Sequence, residues 1–206
     1  AGCRLAPEEI PAAWLVRFPT GAEIIAKAIE FRPPHGVRPD VRLLRRRECE
    51  YEIFQSVEQA IELPTIKKGF DAIDEFLAFA QTILQRRKAR SGRSLELHTR
   101  TIFVEDGLIE DTHFSYQPES EPGKSPDFLF PSESDYRNCS FPQDRLRMLA
   151  VKTTCKDRWR QILNEANRVP RKHLLTLQEG VSENQFREMT DAGVRLVVPE
   201  ALHQAY

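Results

Sequence analysis

The chain has no apolar stretch as long as a membrane span and no signal-peptide pattern at its N-terminus, so neither a transmembrane segment nor export is expected. It has no Cys-x-x-Cys pair. Cys3, Cys49, Cys139 and Cys155 are scattered, which argues against a zinc ribbon and against a disulfide framework. Reduced thiols in a soluble, cytoplasmic protein are the expectation. There is no internal repeat and no low-complexity tract. Nor is there an excess of either charge: 30 basic residues against 31 acidic ones leave a net charge of −1, so bulk charge announces no polyanionic partner.

What is present is a change of period along the chain. At 206 residues it can build one substantial domain, or a core with an attached lobe. Thr20 is placed to cap a helix reaching Glu30, and the loop Arg32-Pro33-Pro34-His35-Gly36 interrupts the pattern. Asp40 is placed to cap a second helix carrying Leu44, Ile53, Phe54, Val57 and Ile61. Phe70, Ile73, Phe76, Leu77, Ala80, Ile83 and Leu84 mark a third helix, which Ser91-Gly92 is expected to break before another starts near Ser94. From Phe114 onward short strands alternate with helices: 126–130, 146–154, 172–177 and 194–198. A helix between the last two is capped by Ser182 and stopped at Gly193. The expected organisation is a helical N-terminal part, 1–66, packed on a core, 67–206, the whole being α/β with a mixed sheet between helical layers.

Local charge is uneven. From Arg86 to Arg100 there are six basic residues against Glu96 alone, and from Glu105 to Asp135 nine acids against Lys124. Such an asymmetry allows a basic cleft beside an acidic, metal-binding pocket; two solvated helix faces would give the same pattern.

Three residues carry chemistry. Pro126-Asp127 opens the short apolar strand that runs to Phe130, proline sitting where its missing N–H costs least. Lys152 ends the apolar run that begins at Arg147. Glu165 falls in a helical pattern from Lys156 to Arg168, where Arg158, Ile162 and Glu165 would share one face. Two carboxylates and a lysine can hold a magnesium ion and activate water against a phosphodiester. A buried lysine at a strand end needs a charge partner, which Asp127 on the neighbouring strand can supply. Taken singly, Asp127 could equally be a turn residue and Glu165 a partner of Arg158 or Arg168.

The ordered set Pro126-Asp127, Lys152 and Glu165 resembles the PD-(D/E)xK superfamily of restriction endonucleases. An acid two positions before the lysine is usual there, and this chain has Ala150. It resembles instead the subgroup, including the EcoRII family, that moves the second carboxylate to the following helix. The wording from Glu48-Cys49-Glu50-Tyr51 through Leu146 to Lys152 and on to Gly193 through Pro199 is similar to that family's catalytic domain. The resemblance implies a restriction-endonuclease-like fold and a magnesium-dependent, homodimeric type II enzyme. It would hydrolyse duplex DNA at CCWGG to leave 5′-phosphate ends, with Asp127 and Glu165 as metal ligands and Lys152 as charge stabiliser. It also implies a catalytic core separated from an effector domain. Glu96 is a further catalytic candidate, because Arg90 to Glu96 resembles the segment that many of these enzymes place before the first core strand; a helix-surface glutamate is the competing reading.

Lys156, Asp157 and Arg158 follow the lysine. Arginine offers a bidentate donor pair to guanine and aspartate accepts from cytosine's amino group, and the resemblance gives this acid–arginine pair the G·C steps. A salt-bridged first turn is the alternative. Tyr136, beside Arg137, supports a different class, in which a tyrosine attacks DNA and forms a phosphotyrosyl bond as recombinases and topoisomerases do. A packed aromatic whose hydroxyl bonds locally would look the same. A DNA-binding module without catalysis fits the arginines but gives no reason for the two acids and the lysine.

Overall fold

The computed structural model describes residues 2–205, the side chains of Asp157 and Ala205 apart. The chain gathers into two compact units, 1–98 and 99–206.

The first unit is helical. Helices α1 (Ala12–Val16), α2 (Gly21–Phe31) and α3 (Pro39–Lys68) are followed by α4 (Ile73–Glu105), and the division between units falls within α4. Thr20 caps α2 as expected: its hydroxyl accepts from the Glu23 amide while Glu23 reaches back, a reciprocal capping box. Asp40 does not cap α3. Pro39 takes the first helical position after Arg38, and Asp40 lies in the first turn, where a carboxylate suits the helix dipole. Pro64 removes one amide donor near the end of α3 without ending it. Ser91-Gly92 likewise fails to break α4, which is continuous through both residues.

Two corrections concern chemistry. Cys3 and Cys49 form a disulfide, their Cα atoms 5.0 Å apart across 46 residues of chain, so the expectation of four reduced thiols fails. The partners meet because the N-terminal segment packs against α3, a contact with no local signature. The arginine run at the start of Arg86–Arg100 is not a free basic surface either. Arg87 holds Glu58 through two guanidinium nitrogens, Arg90 bonds Glu50 at 2.8 Å, and Arg86 bonds Glu62. These glutamates are buried on α3, where a carboxylate must be paired, so α4 spends its arginines on α3.

Glu50 also accepts from Ser94 and from His98, whose Nε2 lies 3.2 Å away. Nδ1 of His98 is buried and meets no donor among the described residues, the pattern of a neutral imidazole whose Nε2–H donates.

The second unit holds a five-stranded sheet in the order β1 (Ser115–Tyr116), β2 (Phe128–Phe130), β3 (Arg147–Val151), β4 (Lys172–Leu175), β5 (Val194–Val197). The first three strands are antiparallel and the last three parallel, so the sheet is mixed as expected. One face carries Leu129, Met148, Ala150, Leu174 and Val194. Onto it pack Trp159 and Ile162 of a 3-10 helix, Lys156–Asn164, and Met189 of α6 (Glu183–Asp191). On the other face Phe103 stacks edge-on against Phe114, Phe128 and Phe130. Helix α5 (Glu133–Arg137) follows β2. Ser182 caps α6 through the Gln185 amide, and Gly193 stops it at φ 75°, where an added Cβ would come 3.2 Å from the Pro170 carbonyl. Among the described residues no helix is long and apolar enough to cross a membrane.

Burial holds the His98 imidazole below its usual value. Burial alone would raise Glu50, but the bonds from His98 and Ser94 outweigh it and hold that carboxyl low. Both groups bind protons more readily in the unfolded chain; the stability from His98 is complete above the ordinary histidine value, about 6.5, and is lost as pH falls below it, while that from Glu50 persists until pH falls below the ordinary carboxylate range. Urea midpoints should therefore drop between about pH 8 and about pH 5.5, and drop less in His98→Gln. A variant as acid-sensitive as the parent would assign the loss to other groups.

Candidate active site

Asp127 precedes β2 and Lys152 follows β3, and the antiparallel register Phe128↔Leu149 brings the two to one end of the sheet. The Oδ2 atom of Asp127 accepts from the Val151 amide at 2.6 Å and from the Lys152 ammonium at 3.0 Å. Both side chains are mostly buried, at 10% and 16% exposure, so this is a desolvated charge pair and not a surface contact. The Lys152 backbone is in turn tied to β4, its amide donating to the Leu175 carbonyl at 2.9 Å.

Glu165 is not on a helix. The segment from Lys156 winds as a 3-10 helix that ends at Asn164, and Glu165 is its extended C-cap, so the expected shared face of Arg158, Ile162 and Glu165 does not exist. The chain turns sharply at Ala166, which is fully buried with φ 48°. Glu165 nevertheless reaches the other two residues electrostatically. Its carboxyl is pushed up to about 7, first by burial and then by the Asp127 charge, with Lys152 pulling the other way.

A framework that sequence reasoning missed holds this turn. The buried ammonium of Lys172, at the start of β4, donates to the carbonyls of Glu165 and Ala166. Ser120 Oγ accepts from the Ala166 amide at 3.2 Å, and Glu121 accepts from the Asn167 amide at 2.8 Å. Arg168 folds back to bond the carbonyls of Tyr136, Asn138 and Phe141. A lysine opening a buried strand was the available signal for Lys172; the Ser120-Glu121 loop carried none.

Tyr136 belongs to that framework. It is buried in the core, its hydroxyl donates to Glu121, and the same oxygen accepts from the Arg168 amide at 3.2 Å. Burial, reinforced by the Glu121 bond, pushes the phenol up to about 12. An attacking tyrosine needs an accessible oxygen that loses its proton easily. Tyr136 has neither property, so the strand-transfer reading is corrected.

The remaining candidates are spread out. Glu96 lies on α4 in the first unit, 3.7 Å from Arg93. Lys156 opens the 3-10 helix with φ 28°, its carbonyl bonded by Gln185 at 2.7 Å. Arg158 is exposed and its guanidinium has no partner among the described residues. The Asp157 side chain lies outside the described residues.

Among the described residues no group of three or more His, Cys, Asp or Glu side chains converges to enclose a metal. Asp127 and Glu165 offer two carboxylates, the protein share that a hard divalent cation commonly takes while keeping several waters. The Glu165 carboxyl, raised by burial against the pull of Lys152 and with a smaller push from the Asp127 charge, is the observation that favours a cation there, because a cation would stabilise the ionised form of a desolvated carboxyl.

This sheet and its helices are those of restriction endonucleases. The solved structure described as a PspGI restriction endonuclease–substrate DNA complex superposes with a TM-score of 0.70 at 19% identity, covering 88% of this chain and 77% of that one. Metal-depleted Ecl18kI with uncleaved, modified DNA gives 0.75 at 17% identity, covering 98% and 78%. Residues 54–206 match the family described as EcoRII C terminal, and the chain belongs to that family. It is 53% identical over 197 residues to the type II restriction enzyme EcoRII of Escherichia coli, a match covering 96% of this chain and 48% of that protein. The chain thus spans about half the length of that relative.

Tyr136→Phe should lower the stability of the fold by about 1–3 kcal/mol, because the Arg168 amide loses its acceptor and the Glu121 carboxylate loses one of its donors. Urea denaturation measures it, and an unchanged midpoint would remove Tyr136 from the framework that supports Glu165.

Proposed function

We propose that this chain is the catalytic part of a type II restriction endonuclease that hydrolyses duplex DNA at CCWGG with magnesium, leaving 5′-phosphate ends. The observation that carries the reading is the buried Asp127–Lys152 pair with the desolvated carboxyl of Glu165 coupled to it, in a chain 53% identical to a type II restriction enzyme. A DNA-binding module gives no reason for a desolvated lysine paired with one carboxylate and coupled to a second, buried one.

Asp127 and Glu165 would hold the metal. Bound there, magnesium supplies Lewis-acid stabilisation of the charge that develops on the scissile phosphate. The Val151 amide and the Lys152 ammonium, both on Oδ2, hold Asp127 ionised and in one orientation. Lys152 orients the attacking water and stabilises charge on the phosphorane oxygens. The bonds of Lys172, Ser120 and Glu121 to the turn keep Glu165 in place. Glu96 is a weaker candidate, supported by the resemblance of its segment.

Lys156, Asp157 and Arg158 would meet the bases and the backbone. The exposed guanidinium of Arg158 can donate two parallel bonds to guanine; for Asp157 the support is the family pattern. Two copies would act together, because a pseudo-palindromic site presents two scissile bonds related by a two-fold axis. A bacterial restriction function places the enzyme in the cytoplasm.

The deciding experiment is incubation with a plasmid bearing CCWGG sites, with and without magnesium. Cutting at those sites only with the metal supports the proposal, and none in either condition sinks it. Asp127→Ala, Lys152→Ala and Glu165→Ala should each slow cutting at least about a hundredfold while specific binding in calcium persists. A near-normal rate in any one excludes that residue. Arg158→Ala should reduce the preference for CCWGG over singly altered duplexes by about 1–3 kcal/mol, read as affinities in calcium; an equal loss for both duplexes would make Arg158 a backbone contact.

A further inference from the structure

A second cationic cluster lies in the sheet unit, away from the candidate active site. Arg147 opens β3, Arg171 immediately precedes β4, His173 is the second residue of β4, and Arg195 is the second of β5. The parallel register puts His173 beside Arg195, and Arg147 lies two residues before Leu149, the β3 partner of His173. Strand alternation therefore gives Arg147, His173 and Arg195 the same face. With Gln143 and Asp144 they line a cleft of about 270 Å³.

The charge in this cleft is not neutralised. Asp144 is its one carboxylate among the described residues. Arg147 donates to the carbonyls of Asp144 and Leu146, which fixes its position and leaves its charge unmatched. Arg171 and Arg195 are exposed and have no ion pair among the described residues. The His173 imidazole is held below its usual value by burial, against a bond to the Met148 backbone, and then by Arg195, Arg147 and Arg171 together. All three guanidiniums line the same cleft as the ring.

We infer that the Arg147–Arg171–His173–Arg195 cleft is a phosphate-binding site separate from the one that is cut. Like-charged guanidiniums held together gain from an anion between them, and their planar forks match the oxygens of a phosphate. An anion there would also favour protonation of the imidazole, whose second N–H then becomes a donor. This site cannot address the scissile phosphate held at Asp127 and Lys152. Met148, Ala150 and Lys152 alternate onto the face opposite Arg147, and Lys152 is five residues further along the strand, roughly 16 Å at strand rise. A duplex backbone phosphate and a free phosphate share the chemistry. For the duplex the inference rests on the DNA-cleaving reading, which the plasmid assay tests independently.

The test uses the whole chain without metal, selectively labelled so that the His173 ring resonances are followed by NMR. It is titrated in parallel with inorganic phosphate and with a short duplex lacking CCWGG. Saturable movement at lower concentrations of duplex than of phosphate assigns the site to a DNA backbone. Saturation by phosphate with no response to duplex assigns it to a free anion. No movement with either overturns the inference, whatever the plasmid assay gives. In the duplex case Arg171→Gln and Arg195→Gln should each reduce the slope of log affinity against log salt by about one, with cutting of a short single-site duplex unchanged. Unaltered slopes in both folded variants would overturn the DNA assignment.

Discussion

The candidate site depends on one shared oxygen. Oδ2 of Asp127 takes both the Val151 amide and the Lys152 ammonium, so one carboxylate satisfies a backbone donor and a buried cation at once. Neither charge is tolerable alone at that depth. The pair exists because β2 and β3 are in the register Phe128↔Leu149. A slip of one residue would send Lys152 to the aromatic face and place its ammonium against Phe128. The core enforces that register, since Met148 and Ala150 must join Leu129 beneath Trp159 and Ile162.

Around this pair the protein uses polar side chains as scaffolding. Lys172, Ser120, Glu121, Tyr136 and Arg168 hold the irregular turn at Ala166. Beyond the Glu165 amide on Ile162 and the Val169 amide on Ala166, side chains bond the backbone groups there. The same economy governs the first unit, where arginines of α4 are consumed by buried glutamates of α3. Residues that look reactive or DNA-directed by type are thereby committed to structure. The carboxyl of Glu165, pushed up to about 7 by burial, is left as the group whose environment suits chemistry.

Much was legible before any coordinates. The strands at Phe128, Arg147, Lys172 and Val194, the Thr20 and Ser182 caps and the Gly193 stop follow from apolar alternation and from single-residue conformational preferences, which act over a few residues. The order of Asp127, Lys152 and Glu165 was readable as well, because strand ends and spacing constrain which groups can meet. The break at Ser91-Gly92 was misjudged: the local propensity cost there is of order 1 kcal/mol, and the long helix α4 overrides it.

The sequence by itself determined most of the short elements and singled out Asp127, Lys152 and Glu165 as candidates, since period, size and charge act along a short stretch of chain. Tertiary structure alone decided which charges are spent and which remain available. Glu165 left its expected helix, Tyr136 became a strut, Cys3 found Cys49, and Arg86, Arg87 and Arg90 turned to α3 while Arg147, Arg171 and Arg195 stayed unmatched around His173. The reason is that pairing and desolvation depend on neighbours tens of residues away in the chain, whose approach is fixed only when the core closes.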